Sequence, residues 1–591
     1  MQRIYLFVIS LLISVSSLFG QENEFLPRGF TDFEWQQLQQ QNSPPHTDRG
    51  IGTPPPLPVR TMAEWEELQA LTITWAGQFN ILAQIVEHSK EEVEVLIVCS
   101  DSTNVKNYLT NNYGLDNLDN VSFLEEPFNS IWIRDYAAIP VYANDVDSLW
   151  SVDWIYNRPW RPLDDALPDA IGAYFNMPVY STTTPPEDMV NTGGNFNSDG
   201  MGTAFASDLI LEENEWGNNY GVTPKTEAEI DQIMFDYMGI ERYIKMSALP
   251  YDVIHHIDMH FRLLDEETLL VGEYPEGVSD GPQIEANIQY VLNNFNSSFG
   301  TPYKVIRVPM PPDFNGTYPS TGGDYRTHTN FTFVNKTVLV PTYELQHDTV
   351  ALRIFRESLP GYNVVGIDCN SIIGSLGALH CITKEVGVED PLLIVHQALR
   401  DTVDYLDAFE VNATIKHRSG IQSATLYYTT DTLAGYQSTP MTLTDADNAV
   451  WTGYMPNTAN TDEYFYYVEA NANNGKTQVR PITAPDGYWN FQVEMTTSVD
   501  QITRSTTRLE PIFPNPASAI TCIPVTTQYS KQATIELVDI WGRTVETIFS
   551  GQLPRGDSKH FIHADQYASG TYFVRLRTEQ QTEVQKLIIG Y

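Results

Sequence analysis

The side chains of this sequence best suited to chemistry sit in three short segments, far apart along the chain. One is Asp252-Val253-Ile254-His255-His256-Ile257-Asp258-Met259-His260, ahead of an apolar run that reads as a strand. If the strand already includes His256, period-two alternation puts the His256 imidazole and the Asp258 carboxylate on one face. A structural histidine explains the same residues, and so does a zinc site built from His255, His256 and His260, although no further ligand motif accompanies them. In Asn129-Ser130-Ile131-Trp132-Ile133-Arg134-Asp135-Tyr136, Asp135 follows a short aromatic-bearing strand. There it can bind a cation, with Trp132 offering a π face; an Arg134–Asp135 surface pair is the plainer account. In Gly374-Ser375-Leu376-Gly377-Ala378-Leu379-His380-Cys381-Ile382-Thr383, small residues let the backbone bend and bring the Cys381 thiol to a pocket wall. A lone cysteine in apolar company is usually core, but the polar neighbours of this one point to an exposed, reactive thiol.

None of these segments is decisive alone; their order is. Trp-x-Arg-Asp is followed by Gly193-Gly194-Asn195, then His-x-Asp, then Asn330, then His-Cys-x-Thr. From about residue 62 to 388 this set resembles the guanidine-modifying pentein superfamily, and within it the bacterial agmatine deiminase and Porphyromonas-type peptidylarginine deiminase family. Met62-Ala63-Glu64-Trp65-Glu66 is similar to that family's opening motif. The resemblance implies a five-bladed α/β propeller of ββαβ units around a central site. It also implies catalytic roles for Cys381, His256, Asp135 and Asp258, with Asn330 helping to orient the site. The chemistry suits the residue types. A guanidinium is flat, cationic and resonance-stabilised, so two carboxylates can fix its plane and concentrate its charge. A Cys381 thiolate then attacks the central carbon, and His256 protonates the departing nitrogen and activates water against the thiouronium intermediate. That scheme calls for no metal or organic cofactor.

Selectivity among guanidinium compounds must lie away from the reacting carbon. In Trp154-Ile155-Tyr156-Asn157-Arg158-Pro159-Trp160-Arg161-Pro162-Leu163-Asp164-Asp165, Arg158 and Arg161 can clamp a carboxylate, which agmatine lacks; pairing of these arginines with Asp164 and Asp165 is the competing account. The secreted peptidylarginine deiminase has a similar loop for the C-terminal carboxylate of its substrate, although Trp160 widens the spacing here. The agmatine branch usually carries an acidic residue before Gly-Gly, where this sequence has Thr192. The expectation is therefore a secreted peptidylarginine deiminase that converts peptide arginine, C-terminal arginine foremost, to citrulline. A deiminase of agmatine or free arginine, an inactive surface adhesin and a Cys–His–Asp peptidase are the alternatives; for the last, nothing shows an oxyanion hole.

The elements that must position these residues form an α/β region followed by two all-β units. Runs at 71–75, 93–99, 131–133, 269–272, 305–308 and 338–341 read as strands, and 79–90, 227–238 and 283–294 as helices. No sequence repeat is evident. Residues 1–20 read as a signal peptide and 21–60, rich in Gln, Pro and Asn, as a flexible leader or pro-segment. The catalytic region spans 61–398. Short alternating strands over 399–496 suggest an immunoglobulin-like β-sandwich, and 497–510 a linker. Residues 511–591, with Phe513-Pro514-Asn515-Pro516 and a terminal Lys586-Leu587-Ile588-Ile589, resemble the C-terminal sorting domain of the type IX secretion system, which implies that machinery as a partner and a secreted or outer-membrane-surface location.

Composition agrees with export. The net charge of -41 disfavours nucleic acid and anionic lipid as partners and favours cationic ones such as arginine-containing peptides, although solubility alone explains excess acid. No stretch after the signal region is long and apolar enough to span a bilayer. The four cysteines, Cys99, Cys369, Cys381 and Cys522, are too scattered for a disulfide scaffold and contain no Cys-x-x-Cys pair.

Overall fold

The computed structural model describes residues 25–402, 407–457, 463–493 and 507–590, apart from 519, 529, 579 and 580. The signal-peptide segment and most of the expected linker lie outside those residues.

Parallel strands need a crossover, most often a helix, and each of the five sheets of the α/β region contains such a unit. The helix Phe79–Ser89 joins strand Leu68–Thr74 to its parallel neighbour Glu94–Cys99. Leu167–Tyr174 lies between Ser148–Tyr156 and Val179–Thr182, and Glu227–Met238 between Thr203–Ser207 and Arg242–Met246. Gly281–Asn294 connects Thr268–Glu273 to Lys304–Pro309, and Leu345–Ser358 connects Thr337–Thr342 to Asn363–Asp368. In each case the first strand also pairs antiparallel on its other side. The sheet containing Leu68–Thr74 takes that partner, Lys384–Gly387, from the far end of the region, so a strand from its end pairs with one near its start. This sheet repeat is carried by geometry, not by recurring residues.

The expected helices form with ends within two residues of the reading, because their apolar faces are continuous. Ile81, Leu82, Ile85 and Val86 of the first are fully or almost fully buried. The run at 131–133 is not a strand; Ile133–Tyr136 is a single helical turn. His256 likewise lies outside a strand. It precedes the 3₁₀ turn Ile257–Met259, and the strand begins only at Phe261.

The leader departs most from expectation. Residues 25–60 are not a loose tail. Thr31 and Glu34 form a capping box that starts the helix Asp32–Gln39, and Ile51 bridges to Tyr180. Arg49 pairs with Asp153 and Asp165, which removes Asp165 as a partner for the arginines of the 154–165 loop.

Beyond the α/β region the chain is β-rich. Strands from Leu393–Val395 to Trp489–Gln492 form an eight-stranded sheet system around Val411, Leu426, Tyr464, Tyr466 and Val468. Ala408–Lys416 alternates buried and more exposed positions, the pattern of a strand with one face on a core. The last unit pairs a three-stranded and a four-stranded sheet over Ile523, Val525, Ile535, Leu537, Val574 and Leu587. Among the described residues, no helix is long and apolar enough to cross a membrane.

Candidate active site

Four turns bring the site together. Asp135 lies in the helical turn Ile133–Tyr136. Gly193–Asn195 is a 3₁₀ turn, and the Asn195 side chain accepts from the backbone N–H groups of Ser207 (2.8 Å) and Ile257 (3.4 Å), tying its own turn to that of His256 and Asp258. Cys381 is in the 3₁₀ turn His380–Ile382. Asn330 links the last two turns: its side-chain oxygen accepts from Ala378 N at 3.1 Å and from the Cys381 thiol at 3.2 Å, while its amide donates to the Asp258 carbonyl. Asp135, His256, Asp258, Asn330 and Cys381 thus converge, all buried.

What fills their centre is the guanidinium of Arg28, from the leader. Its Nε and Nη2 donate in parallel to the two oxygens of Asp135, both at 2.9 Å. Nη1 and Nη2 reach Asp258 at 3.3 Å, and Nη2 lies 2.6 Å from His256 Nδ1. A guanidinium nitrogen can only donate, so Nδ1 accepts and the His256 proton sits on Nε2, 3.1 Å from Thr192 Oγ1. The electrostatics agree. Burial, then the neighbouring Arg28 charge, pushes His256 down to about 4. Burial alone would raise both carboxyls, but the Arg28 guanidinium, with His380 beside Asp258, holds them well below the ordinary range. Burial raises the Cys381 thiol well above its ordinary value, against the pull of Arg28. The exposed thiol expected from sequence is therefore a covered, protonated one while Arg28 is in place.

Glycine at 194 follows from this geometry. A Cβ there would stand 1.9 Å from Arg28 Nη2, 2.7 Å from His256 Nδ1 and 2.8 Å from Asp135 Oδ1. Gly377 is similarly confined, with a Cβ 2.9 Å from Cys381 Sγ.

The remaining expected residues contact the leader backbone. Trp132 donates its indole N–H to Leu26 O at 2.8 Å and packs tilted by 60° against Phe25, so it offers a hydrogen bond and not the expected π face for a cation. Arg158 Nε donates to the Arg28 carbonyl at 3.1 Å, and its guanidinium lies 4.1 Å over the Phe30 ring. Arg161 donates to the carbonyls of Pro27 and Gly29 at 2.9 and 2.8 Å and pairs with Glu34. Neither arginine pairs with Asp164, whose oxygens accept from Asn129 and Ser130. Among the described residues no three His, Cys, Asp or Glu side chains are grouped to hold a metal.

The family model described as Porphyromonas-type peptidyl-arginine deiminase matches residues 60–386, over half of the chain. The chain belongs to that family. Its members modify guanidino groups, and this deiminase carries a second match, to the secretion system C-terminal sorting domain, over residues 511–590. That tail directs it through type IX secretion to the cell surface or extracellular space. A Legionella pneumophila protein named "Putative agmatine deiminase" is 26% identical over 273 residues, 45% of this chain and 75% of its own. A solved structure described as "putative agmatine deiminase" is 19% identical, with a TM-score of 0.50, covering 58% of this chain and 100% of its own. The agmatine deiminase of Enterococcus faecalis is 19% identical, with a TM-score of 0.47, covering 57% of this chain and 99% of its own.

Three features of the deiminase site escape a reading of sequence. His380 Nδ1 lies 2.9 Å from Asp258, and its Nε2 lies 3.1 Å from Glu64. Glu64 also pairs with Arg262, giving its place in the Met62–Glu66 motif a physical role. Arg134, read as a surface partner of Asp135, is buried and pairs with Glu385 at 2.7 Å. Arg28 carries no local signal at all.

Proposed function

We propose that this deiminase hydrolyses the guanidinium of arginine residues in polypeptides to a ureido group, giving citrulline and ammonia. One observation carries the reading: an arginine within a chain, Arg28, fits between Asp135, Asp258 and His256 while Arg158 and Arg161 hold the carbonyls at and beside it. Agmatine has no carbonyl for either arginine. If a substrate ended at its arginine, the oxygen facing Arg158 would belong to a carboxylate, so a C-terminal arginine gains a charge pair there.

In this mechanism Asp135 and Asp258 fix the guanidinium plane. The Cys381 thiol passes its proton to the neutral His256 as its sulfur bonds to the central carbon, and His256 hands that proton to the nitrogen it touches, whose C–N bond breaks to release ammonia. The resulting thiouronium keeps its positive charge beside the two carboxylates. His256, neutral again, takes a proton from water as its oxygen adds to the carbon; collapse then breaks the C–S bond, the departing sulfur takes that proton back from His256, and loss of the hydroxyl proton to solvent leaves the ureido product. Asn330 aligns the thiol. On the same reading, the five crossover sheets are the blades of a propeller and residues 399–496 an immunoglobulin-like unit.

The names of the relatives favour agmatine as a second reading. The test is to quantify ureido product and ammonia from agmatine, free arginine, and peptides with internal or C-terminal arginine, using protein before and after proteolytic removal of the leader. Turnover of agmatine without peptide refutes the proposal, and turnover by Cys381→Ala refutes the covalent route.

A further inference from the structure

The contacts made by residues 25–34 are those of a bound substrate, yet they are made by the enzyme's own chain. The guanidinium is fully buried among both carboxylates and the imidazole. Four consecutive carbonyls, of Leu26, Pro27, Arg28 and Gly29, accept from Trp132, Arg161 and Arg158, and Arg28 N donates to Ser375 O at 3.1 Å. Beyond this register two anchors hold the segment: Glu34 on Arg161, and Arg49 on Asp153 and Asp165. Such a network leaves no room for a second guanidinium.

We infer that residues 25–49 are an intramolecular pseudosubstrate, which keeps the deiminase latent by seating Arg28 in the guanidinium pocket until the segment is cut or displaced. The inference rests on the proposed deiminase reading. A tethered segment competes at an effective concentration in the millimolar range, at or above the roughly micromolar to millimolar KM of ordinary substrates. Tethering therefore favours the leader over a diffusing peptide. Release needs only one cut, because a severed leader loses that advantage. Two exposed stretches are available: residues 40–42, just past the helix, and residues 53–54 and 56–58, within the Thr53-Pro54-Pro55-Pro56-Leu57-Pro58 run.

The leader also shows which peptide the groove accepts. The residues at Leu26 and Pro27 precede the arginine, and Gly29 and Phe30 follow it. Gly29 packs closely, its Cβ position lying 3.3 Å from Leu376 Cδ1, while the Phe30 ring stacks under Arg158. Internal arginine followed by a small residue and then an aromatic one is the chemical class this surface fits.

The test uses the full chain as wild type, Arg28→Ala and Arg28→Glu; the last sets a third carboxylate against Asp135 and Asp258, expelling the leader even if its other anchors persist. One readout is turnover of agmatine and of an internal-arginine peptide. The other is alkylation of Cys381 by 2-chloroacetamidine, located by peptide mapping, which does not need catalysis. Both should rise on the order of 100-fold in the Arg28 variants, the scale for removing one partner of a buried charge pair, and Arg28 of the wild type should keep the mass of arginine. Equal Cys381 labelling in wild type and both variants would overturn the inference, as would a wild type found with citrulline at position 28 and full activity. Faster labelling without peptide turnover would refute the deiminase reading on peptides and leave latency standing.

Discussion

Gly194→Ala, introduced into the unblocked Arg28→Ala chain, isolates the guanidinium pocket. The new methyl would occupy the place where Nη2 sits, 1.9 Å from it, whereas nonbonded heavy atoms need about 3.5 Å. A bound guanidinium must therefore retreat by roughly 1.5 Å, and it cannot then keep both bonds to Asp135, now 2.9 Å each. Each charge-assisted bond contributes about 1.5–3 kcal/mol. Losing both weakens transition-state binding by about 3–6 kcal/mol, or roughly 10²–10⁴ in kcat/KM. Gly194 has no left-handed φ, so alanine brings no backbone strain, but its methyl also stands 2.7 Å from His256 Nδ1 and 2.8 Å from Asp135 Oδ1, so these side chains must give way and the urea midpoint should fall modestly. The assay is kcat/KM on an internal-arginine peptide, alongside Cys381 alkylation by 2-chloroacetamidine and by neutral iodoacetamide. The amidinium reagent should slow far more than the neutral one. A kcat/KM within about threefold of the parent would show that guanidinium does not bind where Arg28 does.

Arg158→Ala in the same background should raise KM for peptide arginine by about tenfold, the worth of one hydrogen bond from a charged donor, while agmatine turnover stays level; equal effects on both would remove Arg158 from peptide recognition. Docking of the leader should depend on pH through His256, which faces Arg28, Asp135, Asp258 and Thr192. Its docked value is depressed to about 4 from an ordinary 6.5. The Arg28 charge is one cause of that depression, after burial, so undocking raises the value and the support that the neutral imidazole gives to docking weakens as pH falls toward about 4. Leader proteolysis by an acid-active protease should quicken as pH falls through that range, and a pH-independent rate would contradict the neutral assignment. Glu64→Ala leaves Arg262 without its carboxylate and frees one side of His380. It should cost about 3–5 kcal/mol in urea unfolding and lower kcat by loosening Asp258; an unchanged midpoint would reduce Glu64 to a bystander.

The ordered segments that carry Cys381, His256, Asp135, Asp258 and Asn330 were legible in the sequence because each is short and their order along the chain is distinctive, and the fold brings those five residues together. The sorting tail was legible for the same reason. Local conformation was less so. The apolar spacing of 79–90 fixed a helix, but the same kind of run at 131–133 is followed by a helical turn, since tertiary contacts of Trp132, Arg134 and Asp135 decide it. Arg158 and Arg161 were recognised as a polar clamp, yet what they hold depends on which chain lies across them.

By itself, then, the sequence determined a guanidine-modifying site and an exported chain, because those follow from residue types in order. Only the tertiary structure decided that the pocket is closed from within. Arg28 meets Asp135 across 107 positions and Asp258 across 230. Pairing over such distances leaves no trace in local composition, where a Pro- and Gln-rich leader reads as loose chain. The docked state exists because one buried cation answers two buried carboxylates, and that complementarity appears only when the fold brings them together.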